Sequence, residues 1–245
     1  MSNDPDSDAA ALSKLIQGDP SLAGHVMRIA NSAAYTPNAS MVSLQQAIAR
    51  LGMNLITEIA LAASLNSKMF KAPGYDARIA DIWSHALGTA LWGKELARAS
   101  KKNVEASFLC GLLHSIGRPS ILQSIAEYAE KQNITIEEKE ALLLEQIFHV
   151  RFGSVIVQKW EMPVIVQESV QHYQDYSHAK SNKDQAMVIH GAAQMATAML
   201  WPDMFAMDAV LQSPVFADLN LYEDEIETLL AQQDKVKSAM EAMRS

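Results

Sequence analysis

Apolar positions recur at helical spacing along nearly the whole chain, and no run alternates well enough to read as a strand. Residues 8–17 predict a short first helix that Gly18 ends. Asp19 and Pro20 then read as an N-cap followed by proline at the first helical position. From there Leu22, Val26, Ile29, Ala30 and Ala33 mark one apolar face, and Pro37 to Ser40 form a loop. Ser43 and Gln46 make a capping-box pair that opens a helix to Leu51, stopped by Gly52. Asn54 caps the next helix, over residues 55–69, and Pro73-Gly74 is a turn suited to a lobe boundary. A long helix follows from Asp76 to Ser100, carrying Ile82, Trp83, His85, Ala86, Ala90 and Leu96. Gly88 and Gly93 weaken it locally or let a neighbour approach closely.

The apolar run "FLCGLLHSIGRPSIL" belongs to a central helix over residues 104–115. It places His114 at the helix end, with Ser115 next and Gly117, Arg118 and Pro119 breaking the chain. Pro119 starts a helix to Lys131, and Thr135 with Glu138 forms a second capping box opening a helix to His149. "FGSVIVQKW" is rich in β-branched residues, yet its helical context predicts a helix. Pro163 restarts a helix to Tyr173, residues 177–183 form a polar loop, and a small-residue helix runs from Asp184 to Leu200. Residues 202–219 read as irregular or short-helical. Asn220 and Glu223 cap a last helix whose polar end is expected to fray. The expected class is all-α without significant sheet.

Composition narrows the function. A chain of 245 residues can bury a large core, as one domain or two closely packed lobes. No apolar run reaches the roughly 18 residues of a membrane span, and the polar, acidic start does not read as a secretory signal. A net charge of −8 argues against nucleic acid as a partner. The lysine pair Lys101-Lys102, beside Arg98, suits a helix C-terminus. The single cysteine, Cys110, excludes an internal disulfide and fits a reducing cytosol, and its apolar surroundings make it a small core residue.

Four of the seven histidines fall in apolar or amphipathic helices: His85, His114, His149 and His172. Singly, each reads as a hydrogen-bonded core or boundary residue; as a set they raise the question of a metal. A hard divalent ion that activates water wants oxygen ligands, usually carboxylates. No Asp or Glu is assigned to the matching helical turn beside these histidines, and a neutral Ser115 is a poor ligand. The site is therefore expected to be short of carboxylates. Other templates fare worse: there is no Walker A loop, Rossmann fingerprint, Cys-x-x-Cys or nucleophile elbow. Ser115 beside His114 is not a dyad, since adjacent helical positions point about 100° apart. No catalytic residue, metal or cofactor is expected.

Read together, several segments resemble the HDOD family, the HD-related output domains of bacterial signalling proteins. They are "DPSLAGHVMRIANSAAY" (19–35), "SLQQAIARLGMNLITEIALAAS" (43–64), "WSHALGTALWGKELA" (83–97), "ASFLCGLLHSIGRPSIL" (106–122) and "EQIFHVRFGSVIVQKWEMPVIVQESVQHY" (145–173). Their shared order over residues 10–200 carries the resemblance; the start is abbreviated, since the family usually has a further helix there. In catalytic HD phosphohydrolases the metal is held by a His, a His-Asp doublet and a later Asp. By resemblance His85 matches the first and His114 the second, while Ser115 replaces the doublet's Asp and Ala193 stands near the later one. His172 matches the first of a closing His-His pair and Tyr173 replaces the second. The resemblance implies an N-terminal helical lobe over residues 1–72 packed on an HD-like lobe over 73–205, with a C-terminal helical extension over 206–245. It implies a non-catalytic, cytoplasmic signal-transduction module with a protein partner. The pocket of His85, His114, Ser115, His149, His172, Tyr173 and Ala193 is expected to hold helices together by hydrogen bonds or, if protonated, to bind a small anion. A metal-dependent phosphohydrolase with substituted ligands is the rival.

Overall fold

The structure, a computed structural model, describes residues 5–36, 41–65 and 69–244. The chain divides into two compact units, residues 1–69 with 238–245, and residues 70–237. Among the described residues there is no strand, as the helical spacing leads one to expect.

The first unit contains α1 (Pro5–Gln17), α2 (Pro20–Ala30), α3 (Leu44–Leu51) and α4 (Met53–Ser64). Asp19 caps α2, its Oδ1 accepting from the Leu22 amide at 3.1 Å. Ser43 caps α3, its Oγ accepting from the Gln46 amide at 3.2 Å, while Gln46 Oε1 accepts from the Val42 amide. Ile16, Val26, Ile29, Ala47, Ile56 and Ile59 are buried. The expected loop Pro37–Ser40 and much of the expected extension of α4 toward residue 69 lie outside the described residues.

The second unit is organised around α5 (Asp76–Ala99), against which α6 (Val104–Leu113) and α10 (Lys183–Leu200) both pack. Over its C-terminal half α5 is buried nearly all round, from Ala86 through Trp92 to Ala97, which suits an inner helix rather than an amphipathic surface one. α7 (Gly117–Gln132) pairs with α8 (Glu138–Lys159), and α9 (Val164–His172) lies against α6, α8 and α10. Two glycines let backbones meet. A Cβ at Gly111 would sit 2.6 Å from Ala90 Cα, and one at Gly117 would overlap the His149 carbonyl. These two approaches bring the ends of α6 and α7 onto α5 and α8, and so bring the histidines together.

Some boundaries differ from the sequence expectation. α8 is one continuous helix through "FGSVIVQKW", because its neighbours bury Gly153 and Val157 while helical hydrogen bonding continues to Lys159. Glu137, not Thr135, occupies its N-cap, without a side-chain cap bond. The last helix is two, α13 (Glu223–Leu230) and α14 (Gln233–Arg244), joined by a break at Ala231-Gln232, with α11 (Met207–Leu211) and α12 (Pro214–Asp218) before them. At the start of α13 it is the Tyr222 amide, not Asn220, that Glu225 accepts from. The terminal segment is helical to Arg244, since Val236, Met240 and Met243 are all buried. Residues 206–237 group with the second unit and 238–245 with the first.

Candidate functional site

In the second unit the end of α6, the start of α7 and the facing sides of α5, α8, α9 and α10 converge on a polar cluster inside an otherwise apolar core. α5 supplies His85, the α6–α7 junction His114, Ser115 and Arg118, α8 Glu145 and His149, the end of α9 Tyr173, and α10 Ala193 and Thr197. The rings of His85 and His114 lie 5.3 Å apart, and Tyr173 meets the His114 ring edge-on at 4.9 Å. Trp201 stacks on His85 with ring centroids 5.8 Å apart.

Hydrogen bonding fixes the state of each imidazole. Thr197 Oγ1 already donates to the Ala193 carbonyl, so His85 Nε2–H donates to both that carbonyl (3.1 Å) and Thr197 Oγ1 (2.9 Å). His114 Nδ1–H donates to the Gly111 carbonyl at 2.6 Å. His149 Nδ1–H donates to the Gln146 and Glu145 carbonyls. Its Nε2 is the acceptor, its one lone pair shared among the donors in reach, Tyr173 Oη at 3.0 Å, Gln174 Nε2 at 3.2 Å and Arg118 at 3.3 Å. Burial drives His85 down to about 4, with Arg118 and Arg78 adding to the effect. Burial, then Arg118, takes His149 to about 4, and burial and the neighbouring His85 hold His114 well below its ordinary value. All three are neutral near pH 7, so the expected route to anion binding through protonated imidazoles does not apply to them.

The expectation that no Asp or Glu stands one turn from these histidines is corrected. Glu145, one turn before His149, is completely buried and bridges two arginines. Its Oε1 accepts from Arg78 and Arg118 at 2.6 Å each, and Oε2 accepts from Arg78 Nε at 2.9 Å. Burial pushes its carboxyl up, but the two guanidiniums outweigh this and hold it below the usual carboxylate range. Asp81, one turn before His85, is exposed and lines the edge of the cluster beside Arg78.

His172 does not join the cluster. It is half-buried at the end of α9, one turn after Glu168, and lines neither cavity of the site. His190 lies there instead, its Nδ1 donating to the Tyr173 carbonyl at 2.8 Å and its Nε2 accepting from Gln194 at 3.0 Å. Two adjoining cavities open on the cluster and share His85, Arg118, Tyr173 and Thr197. The smaller, about 200 Å³, reaches Ser115 and Asp81; the larger, about 540 Å³, reaches His190, Gln194 and Phe205. Cys110 lies outside both, fully buried, its thiol pushed up to about 12 by burial.

The donors do not fit a hard divalent ion. Ser115 and Ala193 offer no carboxylate, Glu145 is engaged by two cations, and His85 Nε2 carries a proton used in hydrogen bonds. Among the described residues no three His, Cys, Asp or Glu side chains are grouped so as to hold a metal. Nor is any helix among them long and apolar enough to cross a membrane.

Comparison with known proteins agrees with this architecture. The family model of the HDOD domain matches residues 1–176. An uncharacterized protein of Treponema pallidum (strain Nichols) is 23% identical over 188 residues, covering 71% of this chain. The chain's match spans 35% of the length of that relative. An HDOD domain protein of Geobacter sulfurreducens with unknown function superposes with a TM-score of 0.72 at 18% identity, covering 98% of this chain and 87% of that one. A candidate metal-dependent phosphohydrolase of Shewanella amazonensis SB2B gives 0.72 at 19% identity, with 97% and 87% covered. A candidate signal transduction protein of Marinobacter aquaeolei VT8 gives 0.68 at 19%, with 96% of this chain and 55% of that one covered. At these identities the structural likeness speaks for the fold.

Proposed function

We propose, on the premise that this chain belongs to the HDOD domain family, that it is a non-catalytic signal-transduction module of the bacterial cytosol that acts by binding a signalling protein. The family and the likeness in fold to a candidate signal transduction protein support a regulatory role. The observation that carries the non-catalytic reading is the fate of Glu145. The one fully buried carboxylate among the described residues is neutralised by Arg78 and Arg118, where a hydrolytic centre needs it free for a metal or a water. Around it the imidazole protons are spent on backbone carbonyls, and the family resemblance sets Ser115 at, and Ala193 near, the places where catalytic HD phosphohydrolases carry aspartates. The cluster thus works as a polar keystone joining six elements, with Glu145 and the three imidazoles each held by a neighbour.

The test is metal loading followed by turnover. Wild-type protein is incubated with Mn²⁺ or Fe²⁺, desalted, analysed for bound metal and assayed on bis(p-nitrophenyl) phosphate. Neither stoichiometric metal nor hydrolysis is expected, whereas Ser115→Asp combined with Ala193→Asp, which restores two oxygen donors, gains metal. A wild-type protein that retains one ion per chain and turns over the diester sinks the reading in favour of a phosphohydrolase with substituted ligands.

A further inference from the structure

The larger cavity of the site is not accounted for by a keystone role. Its volume, about 540 Å³, is in the range of small-molecule sites. Its lining contains no Asp or Glu, although the whole chain has 28 acidic residues and a net charge of −8. The one formal cation in its wall is Arg118, which also faces the smaller cavity.

Arg118 is left with charge and donors to spare. Glu145 is shared between Arg118 and Arg78, so the three groups together carry a net positive charge. The other acid nearby, Asp81, is exposed and lies on the Arg78 side, where it acts on Arg78. The neutral imidazoles of His85 and His149 do not add to the charge, nor do they cancel it. Of the five guanidinium N–H groups, bonds to Glu145 and His149 use two. The Arg118 side chain keeps 22% of its surface exposed, so the guanidinium is reachable from the cavity. The lining also includes the apolar Phe205, Ala209 and Val210, with Phe205 half exposed.

From this arrangement we propose that the cavity binds a small organic anion carried on a flat apolar body, its charged group at Arg118 and its body along Phe205 and Val210. The site's use as a signal input rests on the reading given above; the binding itself does not. A phosphate ester, a phosphonate and a carboxylate share this chemistry. A bare inorganic anion lacks the body, and a neutral aromatic alcohol lacks the charge.

Calorimetric titration of the full chain compares phenylphosphonate, benzoate, inorganic phosphate and benzyl alcohol. At least one of the two aromatic anions is expected to bind one to one, at least about tenfold more tightly than benzyl alcohol or inorganic phosphate. Ala209→Trp, which fills the cavity from an exposed position, is expected to weaken that binding at least about tenfold while the circular dichroism stays native. Arg118→Gln is expected to do the same, and Ala209→Trp keeps the test decisive if the arginine variant fails to fold. Equal affinity for benzyl alcohol overturns the proposal, as does absence of heat with both aromatic anions up to ~10 mM, or binding that Ala209→Trp leaves unchanged. Assay of phenyl phosphate separates the two readings: turnover defeats the non-catalytic function and leaves the binding site standing, whereas lack of both binding and turnover defeats the site alone.

Discussion

His85 and His149 stay neutral in the folded chain to about pH 4, whereas in the unfolded chain they take up protons near their ordinary value of 6.5. Below pH 6.5 the unfolded state therefore binds more protons than the native one, so stability is complete above that pH and falls as the pH drops toward 4. Each group contributes a slope on the order of 1.4 kcal/mol per pH unit, and His114 acts in the same direction. Urea titrations at pH 7, 6 and 5 are expected to show this decline, and His149→Asn to reduce it; a flat profile would mean the rings are not held neutral. At this scale the sequence carried more than was drawn from it. Asp81 and Glu145 stand four residues before His85 and His149, one helical turn away, so carboxylates beside those rings were legible. What was not legible is that Glu145 would be claimed by Arg78 and Arg118, which lie 67 and 27 residues away in sequence. The case of His172 is geometric. Neighbouring residues at a helix end diverge by about 100°, so with Tyr173 turned inward His172 turns away. The same rule places His190 and Thr197 on the stripe of Ala193, three before it and four after.

Helix pairs, rather than helices, set the site's geometry. α7 and α8 touch backbone to backbone at Gly117, where any β-carbon would meet the His149 carbonyl. Gly117→Ala must push apart the two helices that carry Arg118, Glu145 and His149. A loss of about 3 kcal/mol is expected in denaturant unfolding, with Gly24→Ala, where a β-carbon meets nothing within 4 Å, as the tolerated control. Similar costs for both would show that the close approach does not matter. Helix existence was readable from periodicity almost throughout, because apolar faces repeat at helical spacing. Helix ends were less so, because they depend on tertiary partners: burial of Gly153 and Val157 carries α8 through its β-branched stretch, and burial of Met240 and Met243 keeps α14 ordered through a polar sequence.

At the scale of the whole molecule, the chain forms two compact units of unequal size. All four tryptophans, Trp83, Trp92, Trp160 and Trp201, belong to residues 70–237, so their fluorescence reports that unit, while far-ultraviolet circular dichroism reports the helices of both. The two urea curves are expected not to coincide, with the dichroism showing an additional loss from the smaller unit. Superimposable curves would mean that the units unfold as one.

Cys110 has a practical consequence at this scale. The chain's single thiol is sealed in the core and holds its proton far into the alkaline range, so a maleimide finds nothing to react with on the native protein. An introduced surface cysteine would then be the sole attachment point, and dyes placed one per unit could follow the distance between the two in solution without first removing a native residue.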